Sequence, residues 1–287
     1  MFQRRPHFLW ITAVVWRSYF ITTAEQAKAF APAATPFAAP RIHSLDRRPA
    51  LSTPFGATQR WMSNYSKIPK ATSEEDDENK QIEETTRAWL ERVVVGMNLC
   101  PFAERPAREG KLKIQVIRGN DEEAILTLVL AELITRQDVP GTTLLVCPEC
   151  FPDDFEQYLQ VVDMIENGLM VENELSEDVQ VAPFHPLFRF EGSDPDEASN
   201  WTNRSPYPIF HVLREIEVTK AVDLLGGDAG LVWKRNVNLL HALEDELGAE
   251  TMERVLQGQA GQNDVARSQT ILRSFKLQLG SADDKEL

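Results

Sequence analysis

Three stretches decide the fold: Leu112-Lys-Ile-Gln-Val-Ile117, Thr142-Thr-Leu-Leu-Val-Cys147 and Val179-Gln-Val-Ala-Pro-Phe184. The first alternates with the period of two that a half-buried strand requires. The second is a short apolar run of the length of a strand buried on both faces. Between these two, Asn120 and Glu123 stand at the spacing of a capping box. The run that follows to about Arg136 is apolar on nearly every side, which predicts a deeply buried helix. Pro140-Gly141 marks a turn. Between the second and third stretches, Pro152 and Asp153 open a helix that lines up Phe155, Tyr158, Leu159, Val162, Ile165 and Leu169. Strands alternating with helices predict an α/β fold: a small, mainly parallel sheet of three or four strands with helices packed on it.

On the N-terminal side, Ile82, Thr86, Trp89, Leu90, Val93 and Met97 lie at helical spacing, and Gly96 and Pro101 end that helix over about 80–96. On the C-terminal side a long loop, 185–205, follows the third strand; loops of that length are commonly functional. Ser205-Pro-Tyr-Pro-Ile-Phe-His-Val-Leu-Arg-Glu215 reads as a helix, with Ser205 as N-cap, prolines in the first turn and Ile209, Val212, Leu213 and Ile216 on one face. Further helices are predicted over 218–225 and 228–247. The globular domain is thus expected at 73–247, with a polar helical or disordered tail over 248–287, peripheral to it.

Charge divides the chain. Its net charge is −14, yet residues 1–72 carry ten Lys/Arg against two Asp/Glu, and the remainder twenty against forty-two. So acidic a body excludes nucleic acid and anionic membrane as natural partners, because like charges repel. Three cysteines, Cys100, Cys147 and Cys150, are too few for a disulfide-built scaffold.

The basic leader opens with Arg4 and Arg5, then an apolar run from Phe8 to Trp16 that is too short to span a bilayer. Ala27 and Ala29 give the small-residue pattern of a signal peptidase site. Ala27-Lys-Ala-Phe-Ala-Pro32 resembles the Ala-Phe-Ala-Pro junction of the bipartite plastid presequences of diatoms and related algae. That resemblance implies a signal peptide over 1–29, a transit segment over 30–72, import into the plastid of a secondary-plastid alga, and no membrane contact once the leader is removed. Secretion or residence in the endoplasmic reticulum is the alternative.

In parallel sheets, ligands bind beyond the carboxyl ends of the strands. Here those ends lead into Arg118, Cys147 and His185. On the helix reading of 205–215, Tyr207, His211 and Arg214 share a face, presenting a phenol, a group that moves protons near neutrality and a guanidinium that clamps carboxylate or phosphate. Cys100 becomes a nucleophile if a base such as His185 or His211 stands near it. Cys147-Pro-Glu-Cys150 sits between a strand and a helix, the context of a redox pair. The three thiols and His185 have the ligand types of a zinc site but not its paired spacing, so no metal site is expected.

Over roughly 80–245 the body resembles the family catalogued as domain of unknown function 1415. The resemblance rests on Trp89-Leu-Glu-Arg-Val-Val-Val-Gly-Met-Asn-Leu-Cys-Pro-Phe-Ala103, Phe184-His-Pro186, Thr202-Asn-Arg-Ser-Pro-Tyr-Pro208 and His211-Val-Leu-Arg-Glu215. It implies that Asn98, Cys100, His185, Asn203, Arg204, Ser205, Tyr207, His211 and Arg214 are motif residues. It also implies His-Pro after Val146, from which Cys147-Pro-Glu-Cys150 departs. It names no cofactor. The resulting expectation is an enzyme for a small anionic metabolite, with Cys100, His185 and His211 catalytic. Asn98, Asn203, Arg204, Ser205, Tyr207 and Arg214 would then bind substrate. A non-catalytic plastid binding or assembly factor, and a redox or zinc protein using Cys147 and Cys150, are the alternatives.

Overall fold

The computed structural model describes residues 73–228 and 230–275. The leader readings (signal peptide, transit segment and the junction at Phe30) lie outside the described residues, as does the tail from 276 onward.

Helix α1 (Ser73–Trp89) runs into a π-helical turn (Leu90–Val95), followed by the short α2 (Glu104–Arg108). Then come β1 (Leu112–Val116), α3 (Glu122–Asp138), β2 (Thr142–Val146) and α4 (Phe155–Asp163), which continues through a second π-helical turn (Met164–Leu169) into a last helical turn (Met170–Glu172). β3 (Val179–Phe184), a 3-10 turn (Ala198–Thr202), β4 (Ile209–Arg214), α5 (Glu215–Leu224), α6 (Gly230–Leu247), α7 (Ala249–Leu256) and α8 (Gln262–Leu272) complete the order. The caps fall slightly later than the sequence suggests: Asp121, not Asn120, accepts from the Ala124 amide, and Asp154 caps α4. Gly141, at φ 108°, makes the turn into β2; a Cβ there would stand 2.2 Å from the Lys111 carbonyl oxygen.

The fold is α/β, but its sheet is mixed. The strand order is β1-β2-β4-β3, with β1 and β2 parallel and β4 antiparallel to both of its neighbours. Segment 205–215 therefore does not form a helix; it supplies the strand that fills the slot between β2 and β3. The reason lies in burial. Phe210 and Val212 enter one core while Ile209 and Leu213 face the other. A strand apolar on both faces loses its alternation, and its pattern then resembles one side of a helix. Tyr207, His211 and Arg214 consequently share no face: His211 and Arg214 point to opposite sides of the sheet.

Three cores result. On one face of the sheet, Ile125, Val129 and Leu133 of α3 and Tyr158, Val161 and Val162 of α4 pack against Leu145, Val181, Phe210 and Val212. On the other face, Ile82 and Trp89 of α1 cover Leu144, Val146, Ala182, Phe184 and Ile209. The third joins Val93, Met97 and Leu99 to Leu239, Leu240 and Leu243 of α6 and to Met252 and Leu256 of α7. The chain after Gly248 is therefore packed into a core by α7 and α8, rather than being peripheral, as far as Phe275. Helix α3 is not apolar all round: Ile134 is exposed, and Glu132 and Arg136 are buried as a pair.

Candidate functional site

Because β3 runs antiparallel to β4, and β4 antiparallel to β2, the strands β1, β2 and β3 all point the same way. Their carboxyl ends share one edge with the amino end of β4. The Cys147 amide donates to Pro208 O and the His185 amide to Asn203 O, which ties that edge together. Arg118 closes its outer side, donating to Glu149 and to Glu78 of α1.

Most of the motif side chains at this edge bond to backbone. His185 is fully buried, in ring contact with Phe155 at 5.2 Å and Tyr158 at 4.8 Å. Its Nε2 lies 3.0 Å from Phe151 O, an acceptor, while its Nδ1 accepts from the Leu187 amide at 3.0 Å. Both nitrogens are thus occupied in the neutral Nε2–H tautomer, and burial holds the ring pKa below its ordinary value. His185 pins a turn; it has no nitrogen left for proton transfer, contrary to the catalytic expectation. Asn203 donates to Pro183 O and so covers the outer edge of β3, where the proline has no N–H to leave unpaired. Arg204 donates to Phe188 O and Pro195 O, with its guanidinium 4.8 Å from the Trp201 ring centroid. The Ser205 hydroxyl donates to Tyr207 O, and Tyr207 packs on the α1 side of the sheet. These bonds tie the 185–208 loop to itself and to β3.

Arg214 stands at the other end of β4, opposite Val179, about 16 Å from Ile209 for five strand steps. It donates to Arg136 O and Gln137 O and caps the carboxyl end of α3. It stands at the opposite end of the sheet from His185 and shares no site with it.

His211 lies on the α1 side, its ring centroid 6.1 Å from that of Phe184. His185 contacts α4 on the opposite side, so the two histidines do not meet. The Thr142 hydroxyl is 2.7 Å from Val212 O and 2.6 Å from His211 Nε2. Val212 O only accepts, so the hydroxyl proton goes there and Nε2 carries its own hydrogen. Burial pushes the His211 pKa down from 6.5 to about 4. A folded pKa below the unfolded one means stability is complete above the unfolded value and declines as pH falls toward the folded one. Urea midpoints should therefore drop between pH 6.5 and 4, and the drop should shrink in His211→Gln.

Cys147 and Cys150 are unpaired and buried among core residues; burial raises both thiols, Cys150 to about 12. Among the described residues, no three His, Cys, Asp or Glu side chains come together as a metal-binding group.

The remaining cluster lies on the loop that leads into Cys100. In the π-helical turn the Gly96 amide donates to Glu91 O and the Leu99 amide to Val94 O, each five residues back. This swings the chain into a loop, where Asn98 adopts a left-handed conformation (φ 51°) that asparagine tolerates. The Asn98 backbone, rather than its side chain, carries the recorded contact. Arg235 of α6 donates through Nη1 to Met97 O at 3.3 Å and Asn98 O at 2.9 Å, and through Nε to Phe275 O at 2.7 Å. Asn236 donates to Leu99 O. The Cys100 thiol sits against the amides of Phe102 and Ala103, which favour its ionised form, but burial outweighs them and its pKa is raised.

Arg235 and Asn236 were not legible as site residues, although a signal existed. On α6 they occupy core spacing with Val232, Leu239, Leu240 and Leu243, where apolar residues are expected. Arg235 is 8% exposed, its Nη2 is buried without a hydrogen-bond partner, and all its recorded partners are uncharged oxygens. Burial alone brings its pKa down to about 10, so it stays charged at neutral pH.

Residues 81–250 match the model of a family described as a protein of unknown function (DUF1415). No curated protein and no solved structure gives a significant match.

Proposed function

We propose, for a chain that belongs to the DUF1415 family, that the joint between the 97–103 loop and α6 binds a small anionic metabolite, and that Cys100 is the reactive group of an enzyme acting on it. The observation that carries this reading is the Arg235 guanidinium: buried, charged, without a carboxylate partner among the described residues, and with Nη2 unbonded. An unpaired buried charge costs several kcal/mol, and an anion that accepts from Nη2 offsets that cost. Carboxylate and phosphate are the matching chemistries. The amides of Phe102 and Ala103 beside Cys100 favour its ionised form against the burial that raises its pKa. The leader's resemblance to algal presequences supports plastid import as the setting.

The test is thermal unfolding in phosphate and in malonate, against chloride at equal ionic strength. Both anions are expected to raise the midpoint of the wild type and of Cys100→Ser, but not that of Arg235→Met. An equal rise in Arg235→Met defeats the proposal. Alkylation of Cys100 by iodoacetamide should be slowed by the same anions. A fluorescent fusion of residues 1–72 that stays in the cytosol would refute the plastid setting.

A further inference from the structure

The α1 side of the sheet carries a second polar cluster, far from Arg235 in chemistry. Gln180 stands opposite Leu213 and His211 opposite Ala182, so Gln180 and His211 are diagonal neighbours on one face, about 7–8 Å apart. Gln180 is 5% exposed, and neither its Oε1 nor its Nε2 has a partner. His211 donates from Nε2 to Thr142, which leaves the lone pair on Nδ1 without a recorded partner among the described residues. Leu144, Ala182 and Leu213 surround these groups with apolar surface, and Leu112 lies further along the same face.

Buried polar groups are almost always hydrogen-bonded, so the two unsatisfied atoms of Gln180, beside the half-buried His211, call for an occupant. The free groups are one donor pair on Gln180 Nε2 and two acceptors, Gln180 Oε1 and His211 Nδ1. An anion would face two acceptors and no cation. A cation would find no counter-charge among the recorded partners. A primary amide complements the set: its carbonyl accepts from Gln180 Nε2, one N–H donates to Gln180 Oε1, and a second N–H reaches toward His211 Nδ1. We infer that this face binds an uncharged small molecule joining an apolar body to a primary amide group. The site is independent of the anion site, since it shares no residue with it.

The experiment is saturation-transfer NMR on the full chain with benzamide, benzoate and toluene as probes. Benzamide should bind, benzoate should not, and Gln180→Leu should weaken benzamide about tenfold while leaving any toluene signal unchanged. Leu approximates the shape of Gln, so the variant should fold; Gln180→Met serves as a second variant lacking the amide. Absence of benzamide binding to the wild type, or equal binding by both variants, overturns the inference. Neither result depends on Arg235, so failure here leaves the anion proposal standing.

Discussion

Glu132→Ala is expected to lower the unfolding free energy by about 3–5 kcal/mol, read as a shift in the urea midpoint. Glu132 and Arg136 are 5% and 6% exposed, one turn apart on α3. One carboxylate oxygen accepts from Arg136 Nε at 3.1 Å and from the Thr143 hydroxyl at 2.6 Å; the other accepts from Lys113 at 2.6 Å. Lys113 is half exposed and can turn to water. Arg136 cannot, because it is enclosed between α3 and β2. Removing the carboxylate leaves that guanidinium buried with only Thr143 and Pro140 O as recorded partners. Most of the loss is the desolvation of an unpaired charge, not the value of the contact itself. A loss under about 1 kcal/mol would mean that water reaches Arg136 and that the pair behaves as a surface one.

The same carboxylate sets the acid limit. Burial would raise its pKa, but the hydrogen bonds from Lys113 and Thr143 and the charge of Arg136 together hold it below 4.5. A folded pKa below the unfolded value means its stabilisation is present above about 4.5 and lost as pH falls further. In Glu132→Gln the stability curve should therefore be flatter below that pH, at and beneath the acid end of the window assigned to His211.

Gly96→Ala is the second large expected effect, about 3 kcal/mol of destabilisation together with loss of anion-dependent stabilisation. The cause is the π-helical turn, not a left-handed backbone. Because the Gly96 amide reaches back to Glu91 O, the Arg92 carbonyl is pressed against the Gly96 Cα, and an added Cβ would lie 2.2 Å from that oxygen. Backbone on both sides of the clash means that relief requires a change of helical register. Such a change moves the Met97, Asn98 and Leu99 carbonyls that Arg235 and Asn236 hold. Hydrogen exchange across 97–103 should rise in the variant; unchanged protection would show that the loop does not depend on the π register.

The first three strands, the helices between them and the shared edge of their carboxyl ends follow from local pattern. Short apolar runs separated by capped helices leave one economical arrangement, and Arg118, Cys147 and His185 do emerge at one edge. Boundaries moved by a few residues because Asp121 and Asp154 compete with Asn120 and Asp153 as caps.

What the sequence by itself determined is therefore the fold class, the order of the first three strands and the concentration of motif residues at one sheet edge. The tertiary structure alone decided three further matters. It made 209–214 a strand, because both faces of that segment are buried and its period carries no direction. It showed that His185, Arg204 and Arg214 bond to backbone, because carbonyls and amides are identical at every position and leave no trace in side-chain identity. And it brought Arg235 to the Met97 and Asn98 carbonyls across more than a hundred residues, a proximity set by packing of α6 on the π-helical turn, which no local spacing encodes.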